Sequence, residues 1–258
     1  MIRVIRVEVP TKLAMRSGLT ALALVAAAAI SAQQKAKPAL TAEQVIDKSI
    51  DAVGGHAAME KLSSTWAKGT MEFTNQHISG TMELFAKAPN KQLVVMDLES
   101  VGQIKQAFDG EVAWGQSPNG EIAEVTGAPL DDMKRNAVFN AALKWREMFP
   151  KIELTGQEPL GDRKAYVIRL TTTSGKTSTR YYDAETFYLL RESGSRDTPQ
   201  GTMDIKADFS DYREVNGIKA PFLIKQSMAM GEIILKIAEM KNNVPIDDAK
   251  FIKPVGPK

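Results

Sequence analysis

Few residues of this 258-residue chain combine the type and the spacing that catalysis or metal binding needs. Its two histidines are His56, which follows the diglycine Gly54-Gly55, and His77, which falls in an expected hairpin turn. Neither has a partner at i+2 or i+4, so both read as exposed loop residues and no metal site is expected. There is no Gly-x-Ser-x-Gly elbow. Gly156 and Gly161 are followed by Asp162-Arg163 where a phosphate loop carries Lys and Ser or Thr. Carboxylates pair at Asp131-Asp132, at Asp208 with Asp211 and at Asp247-Asp248, and a glycosidase would need two of them facing across a sugar. Each pair has a plainer use: the first complements a helix dipole, the second lies near the wet face of a strand, the third sits in a loop. On these grounds no catalytic residue is assigned, no enzyme activity is expected and no cofactor is implied.

The methionines say more. Ten of the twelve lie beyond residue 32, and Met71, Met82, Met96, Met203 and Met228 fall where apolar residues take alternate positions. A flexible, polarisable side chain suits a surface that fits acyl chains of varied shape, and it suits ordinary core packing equally well. Trp66, Trp114 and Trp145 leave the same two readings open.

Strands must position these side chains. Between 63 and 240, about ten short segments carry apolar residues on every second position. In 70–73 and 80–88, Met71, Phe73, Met82 and Leu84 alternate with Thr70, Glu72, Thr81 and Glu83, the pattern of an antiparallel sheet wet on one side. Segment 93–98 is almost wholly apolar, as a central strand would be, and the rhythm resumes from 151 through 240. Asp109-Gly110 and Asn216-Gly217 predict two-residue hairpins, and Asn119-Gly120 a further reversal. Pro221 predicts an edge or a bulge, because it cannot donate to a ladder.

Helices interrupt this rhythm at two places. Thr41 and Gln44 form a capping box, Val45, Ile46, Ile50 and Val53 follow as a stripe, Gly54-Gly55 ends the helix, and a further turn is expected over 57–62. Over 129–149, the spacing of Leu130, Met133, Ala137, Ala141, Trp145 and Met148 predicts one long helix, opened by Pro129 and stopped by Pro150. Two helices are too little to seal a strongly twisted sheet of this size, so a part-filled apolar concavity is expected. The tail after Asn243 has no periodicity and is expected to pack Ile246 and Phe251 against the sheet end.

Residues 1–32 have the three parts of a secretory signal: basic Arg3, Arg6, Lys12 and Arg16, an apolar run over 19–30, and small residues at Ser31 and Ala32. The run is shorter than a membrane-spanning helix needs, and no cysteine follows it to carry a lipid. A cleavable signal, a flexible leader over 33–40 and a single domain over 41–258 are therefore expected. Beyond residue 32 there remain 29 basic and 30 acidic side chains, a balance that offers no footprint for nucleic acid. With no cysteine in the chain, stability must come from a hydrophobic core.

Several stretches resemble bacterial proteins of the LolA-like, outer-membrane lipoprotein-sorting family. They are Gly54-Gly55, Lys68-Gly-Thr70, Lys87-Ala-Pro-Asn-Lys91, Phe108-Asp-Gly-Glu-Val-Ala-Trp114, Tyr182-Asp-Ala-Glu-Thr186, the run from Phe209 to Ile218 with Pro221-Phe222, and the run from Asn243 to Phe251. The resemblance covers nearly all of the chain beyond the signal and rests mostly on turn chemistry. It implies a mainly β (α+β) fold: a large curved antiparallel sheet forming an unclosed barrel, with helices over the concave side. It also implies a periplasmic carrier for lipid or lipoprotein acyl chains.

Combined with the alternation, this gives a definite expectation. A monomer lines its concavity with Met71, Met82, Leu84, Val94, Met96, Phe108, Met203 and Ile205, under a lid helix that presents Leu130, Met133, Ala137, Ala141 and Trp145. The partner is a lipid or an acylated lipoprotein. The alternative is an envelope sensor or assembly adaptor that binds protein segments by strand addition at an edge.

Overall fold

The computed structural model describes residues 40–198, 201–229 and 231–255. The expected signal over 1–32 and the leader as far as Ala39 lie outside the described residues. Helix α1 (Ala42–Ala52) begins at the expected capping box: the Gln44 amide donates to Thr41 Oγ1 at 3.3 Å, and the Thr41 amide donates to Gln44 Oε1 at 3.0 Å. It buries Ala42, Val45, Ile46 and Ile50. Leu40, read from sequence as leader, packs against the same cluster. Helix α2 (His56–Glu60) follows, and Met59 joins the cluster from it.

Six strands come next: β1 (Ser64–Phe73), β2 (Ile78–Lys87), β3 (Lys91–Leu98), β4 (Gly102–Phe108), β5 (Ala113–Gln116) and β6 (Ile122–Glu124). Helices α3 (Ala128–Asn136) and α4 (Trp145–Met148) lead to β7 (Lys151–Leu160), β8 (Arg163–Thr171), β9 (Thr177–Asp183), β10 (Leu189–Thr198), β11 (Gly201–Val215), β12 (Ile218–Met228) and β13 (Gly231–Asn242). All thirteen strands form one antiparallel sheet, in the order β6-β5-β4-β3-β2-β1-β13-β12-β11-β10-β9-β8-β7. Two meanders are thus joined where β13 returns beside β1, and among the described residues no ladder joins the outer strands β6 and β7.

The sheet curls almost to closure. Helix α3 packs Leu130 and Met133 with Phe108 on β4 and Ala113 on β5, and its Asp132 lies 3.2 Å from Lys176, just ahead of β9. Strands β5 and β9 are nine places apart in the sheet. Flat, they would be about 43 Å apart, whereas nine helical residues span about 13 Å. The result is an unclosed barrel with the helices on its concave side. A bulge falls where β1 meets β13: the register slips between Lys68 and Gly69, and a Cβ on Gly69 would stand 2.1 Å from the Lys236 carbonyl oxygen. Only glycine lets the two backbones approach so closely.

The outer face carries the C-terminal tail, which packs Ile246 and Phe251 on Leu93, Ala107 and Trp114 as expected. The Trp114 indole N–H donates to the Phe251 carbonyl at 2.8 Å.

Several sequence expectations need correction. The helix expected over 129–149 is two, because the chain between them is drawn away by distant partners. The Phe139 amide donates to the Pro89 carbonyl (3.0 Å), the Asn140 side chain donates to the Met59 carbonyl (2.7 Å), and Asn140 takes a left-handed φ of 53°. The connection at Asp109-Gly110 has four residues, 109–112, rather than two. Asp109 Oδ1 accepts from the amides of Glu111 and Val112, so its side chain closes the turn. Asn216-Gly217 is the tight two-residue hairpin expected, with φ of 54° and 80°. Pro221 pairs with Tyr212 on one flank, while the ladder to β13 begins only at Leu223, so it sits where an amide donor is not needed.

Candidate ligand-binding concavity

Partners in an antiparallel ladder project to the same face, so register alone sorts the side chains. Met82 pairs with Met96 and Gly69, Leu84 with Val94 and Ala67, Met71 with Leu235 and Gly80, and Phe108 with Gln92. Across β13 and β12 the same face continues through Ile233, Gln226, Ile224 and Met228 to Phe209, Ala207 and Ile205 on β11, and Met203 lies two residues from Ile205. The eight expected lining residues therefore share the concave face. Their settings differ. Met71 and Phe108 are buried, while Met82, Leu84, Val94, Met96, Met203 and Ile205 are half-buried. Phe108 lies beneath α3, and Met82 and Leu84 pack on Ala67, Phe222 and Ile237.

The five expected lid residues divide. Leu130, Met133 and Ala137 lie with Phe108 and Ala113. Trp145 is buried in the cluster formed by α1, α2, α4 and strands β8 and β9, its ring stacked under the Arg146 guanidinium at 4.1 Å. Ala141 is in the break between the helices, at the wall of a partly open hollow.

That hollow, about 370 Å³ in volume, lies between the α3–α4 segment and β9–β12. Met148, Phe149, Ile205, Ala207 and Phe209 line part of it, but its charged members are the unexpected feature: Asp132, Arg135, Lys176, Arg180, Glu192 and Arg196. Of the eight expected lining residues, only Ile205 reaches it. Buried Asp132 is paired with Arg135 and Lys176. Arg180 meets Glu192, with Nε 3.2 Å from Oε2. Burial alone would lower the Arg180 pKa, but Glu192 and Tyr182 more than offset it and hold the guanidinium above its ordinary value. Burial pushes the neighbouring Tyr182 phenol up.

Arg196 differs from these, since among the described residues no acid pairs with it. It is an exposed residue, and protein crowded around its side chain holds its pKa below the usual arginine value. A wider opening of about 760 Å³ adjoins the hollow, sharing Thr177, Ser178, Gly194, Ser195 and Ile205 with it and leading out past Ser227 and Met228.

Sequence reasoning missed this charged group, and no local signal marks it. Arg180, Glu192 and Arg196 each alternate with other polar residues, as a solvated strand would, and only the curl of the sheet turns them inward. The expected carboxylate pairs are also separated. Asp131 is exposed on α3 while Asp132 points inward, Asp208 pairs with Arg191 and Asp211 with Arg213, and Asp248 binds Lys87 and Lys91. His56 and His77 are exposed, and among the described residues no group of three His, Cys, Asp or Glu could hold a metal ion.

The fold and its concavity define a class: an open antiparallel barrel with helices over its concave side and a hollow beneath them. Three solved structures share this fold. A DUF1329 family protein from Desulfovibrio piger superposes with a TM-score of 0.59 at 13% identity, over 81% of this chain and 96% of that one. A LolA superfamily protein from Nitrosomonas europaea gives 0.56 at 16% identity, over 83% and 99%. A domain described as an outer-membrane lipoprotein-sorting protein, from Vibrio parahaemolyticus, gives 0.56 at 11% identity, over 81% and 96%. At such identities the likeness is one of fold. No protein-family model matches the sequence, and no curated protein matches it.

Proposed function

We propose that this chain is an exported, periplasmic binding or carrier protein that holds the acyl chains of a lipid or lipoprotein against its concave face. One observation carries the reading. A continuous sweep of half-buried apolar side chains, from Val94 and Met96 on β3 through Met82, Leu235 and Ile224 to Ile205 on β11, faces the inside of a barrel that its helices cover only in part. A surface of that kind, curved and neither sealed nor fully wet, suits a flexible chain better than a rigid polar substrate. Methionines at 71, 82, 96, 203 and 228 supply the adaptability such a chain requires. The likeness to a lipoprotein-sorting domain supports the same reading, as does the engagement of the conspicuous carboxylates Asp132 and Asp248 with cations. No helix among the described residues is long and apolar enough to cross a membrane.

The sensor or adaptor alternative would use an open strand edge. Strand β7 offers ten residues, but its register slips between Leu154 and Gly156 and it carries Pro159, two devices that blunt an edge against added strands. The carrier reading is therefore preferred. Native mass spectrometry of protein purified from periplasm tests it: a monomer with co-purifying mass that delipidation removes, and uptake of a fluorescent fatty acid afterwards, are expected. A ligand-free mass with no uptake would defeat it.

A further inference from the structure

We infer that the hollow beneath the α3–α4 segment is the headgroup subsite of an anionic single-headed amphiphile, with Arg196 receiving the carboxylate or phosphate and the chain lying along the apolar concave face. The inference rests on the acyl-binding reading above and names the chemistry of its ligand.

Charge is the first argument. The hollow holds four cations, Arg135, Lys176, Arg180 and Arg196, against two acids, Asp132 and Glu192. The acids are engaged by the first three cations, which leaves Arg196 without an anionic partner among the described residues. An arginine fork in a part-desolvated site favours a planar or tetrahedral oxyanion, which it grips through two parallel N–H donors.

Position is the second. Arg196 pairs in register with Met203 on β11, which places both on the concave face. Ile205 and Phe209 line the hollow and belong to the apolar sweep that continues through Ile224 and Leu235 to Met71. An anionic head at Arg196 thus leads its chain directly onto that sweep. Access is the third. Arg196 is itself exposed, so its guanidinium is reachable from solvent, and the hollow shares Ser178, Gly194 and Ile205 with the wider opening beside it.

The test uses delipidated full-length mature protein, cis-parinaric acid and its methyl ester as fluorescent probes, dodecyl phosphate and inorganic phosphate as competitors, and the variant Arg196→Gln. Among the described residues the Arg196 side chain makes no hydrogen bond or ion pair, so Arg196→Gln should fold as wild type does, which an unchanged melting temperature verifies. Wild type should bind the acid about tenfold more tightly than the ester, the scale of one charge-assisted contact. Arg196→Gln should abolish that preference and leave ester binding unchanged. Competition by dodecyl phosphate but not by inorganic phosphate would support a lipid headgroup as the source of the anion. Equal affinity for acid and ester, unaltered by Arg196→Gln, would overturn the subsite while leaving acyl binding standing. Competition by inorganic phosphate at the same concentration as dodecyl phosphate would overturn the amphiphile, and binding of neither probe would overturn both readings.

Discussion

Asp132 shows how much one side chain can carry that its local setting does not announce. In sequence it is one of two acids in a first helical turn, where the helix dipole explains both. In the fold only Asp131 keeps that simple role, while Asp132 turns inward, pairs with Arg135 one turn along its own helix and ties α3 to Lys176 across the barrel gap. Removing its carboxylate takes away the ion pairs it makes with Arg135 and Lys176. Asp132→Ala should lower stability by about 1.5–3 kcal/mol, the range for hydrogen bonds to charged groups. A urea titration checks this, and an unchanged midpoint would show that the lid is held by apolar contacts alone. Asp248 makes a second residue-scale case. Hydrogen bonds from Lys87 and Lys91, at 2.7 and 2.8 Å, hold its carboxyl at about 2. A depressed folded-state pKa contributes stability above the unfolded value of about 3.9, and that contribution disappears as pH falls through the folded value. The effect is small at so exposed a site. A carboxyl-carbon NMR titration of Asp248 should have its midpoint near 2; one near 3.9, the free aspartate value, would contradict the ion pairs.

Among the elements, the lid is where sequence and structure part most clearly. Three- and four-residue spacing from Leu130 to Met148 satisfies a single helix, and spacing cannot register a partner eighty residues away. The Asn140 side chain reaches the Met59 carbonyl, and the backbone turns left-handed to allow it. Asn140→Ala loses the hydrogen bond and keeps a Cβ at positive φ without the polar side chain that lets asparagine tolerate that conformation, whereas Asn140→Gly loses the bond but relieves the backbone strain. The alanine variant should be destabilised by about 1–3 kcal/mol and the glycine variant by less, measured by thermal unfolding. Equal losses would mean the backbone conformation is not what holds the break. The strands were more legible, because a half-buried strand writes its burial into alternate residues: Met71, Met82, Leu84, Val94 and Met96 were all readable as one face. Alternation failed on β10, which runs on past Glu192 to Thr198. Its inward residues there, Gly194 and Arg196, border a polar hollow and carry no apolar signal.

At the scale of the whole molecule, the decisive feature is an order of strands that alternation alone does not specify. By returning β13 beside β1, the chain joins two meanders into one sheet and leaves its outer strands to be bridged by helices rather than by hydrogen bonds. An open barrel of that kind has an inner surface that is apolar along β1–β4 and β11–β13 and charged near β9 and β10. That division suits an amphiphile, whereas a uniformly apolar core would need no ligand. The methionines allow the most direct measurement. With ¹³C-methyl-methionine label in the delipidated protein, addition of a medium-chain fatty acid should shift the ε-methyl resonances of Met82, Met96 and Met203. Met59, buried beneath the helices on the far side of the lid cluster, should stay unmoved. Saturable shifts confined to the concave-face methionines are the expected result; no shift at any of the three, at ligand concentrations well above those at which fatty acids bind such carriers, would contradict the claim that this face holds acyl chains.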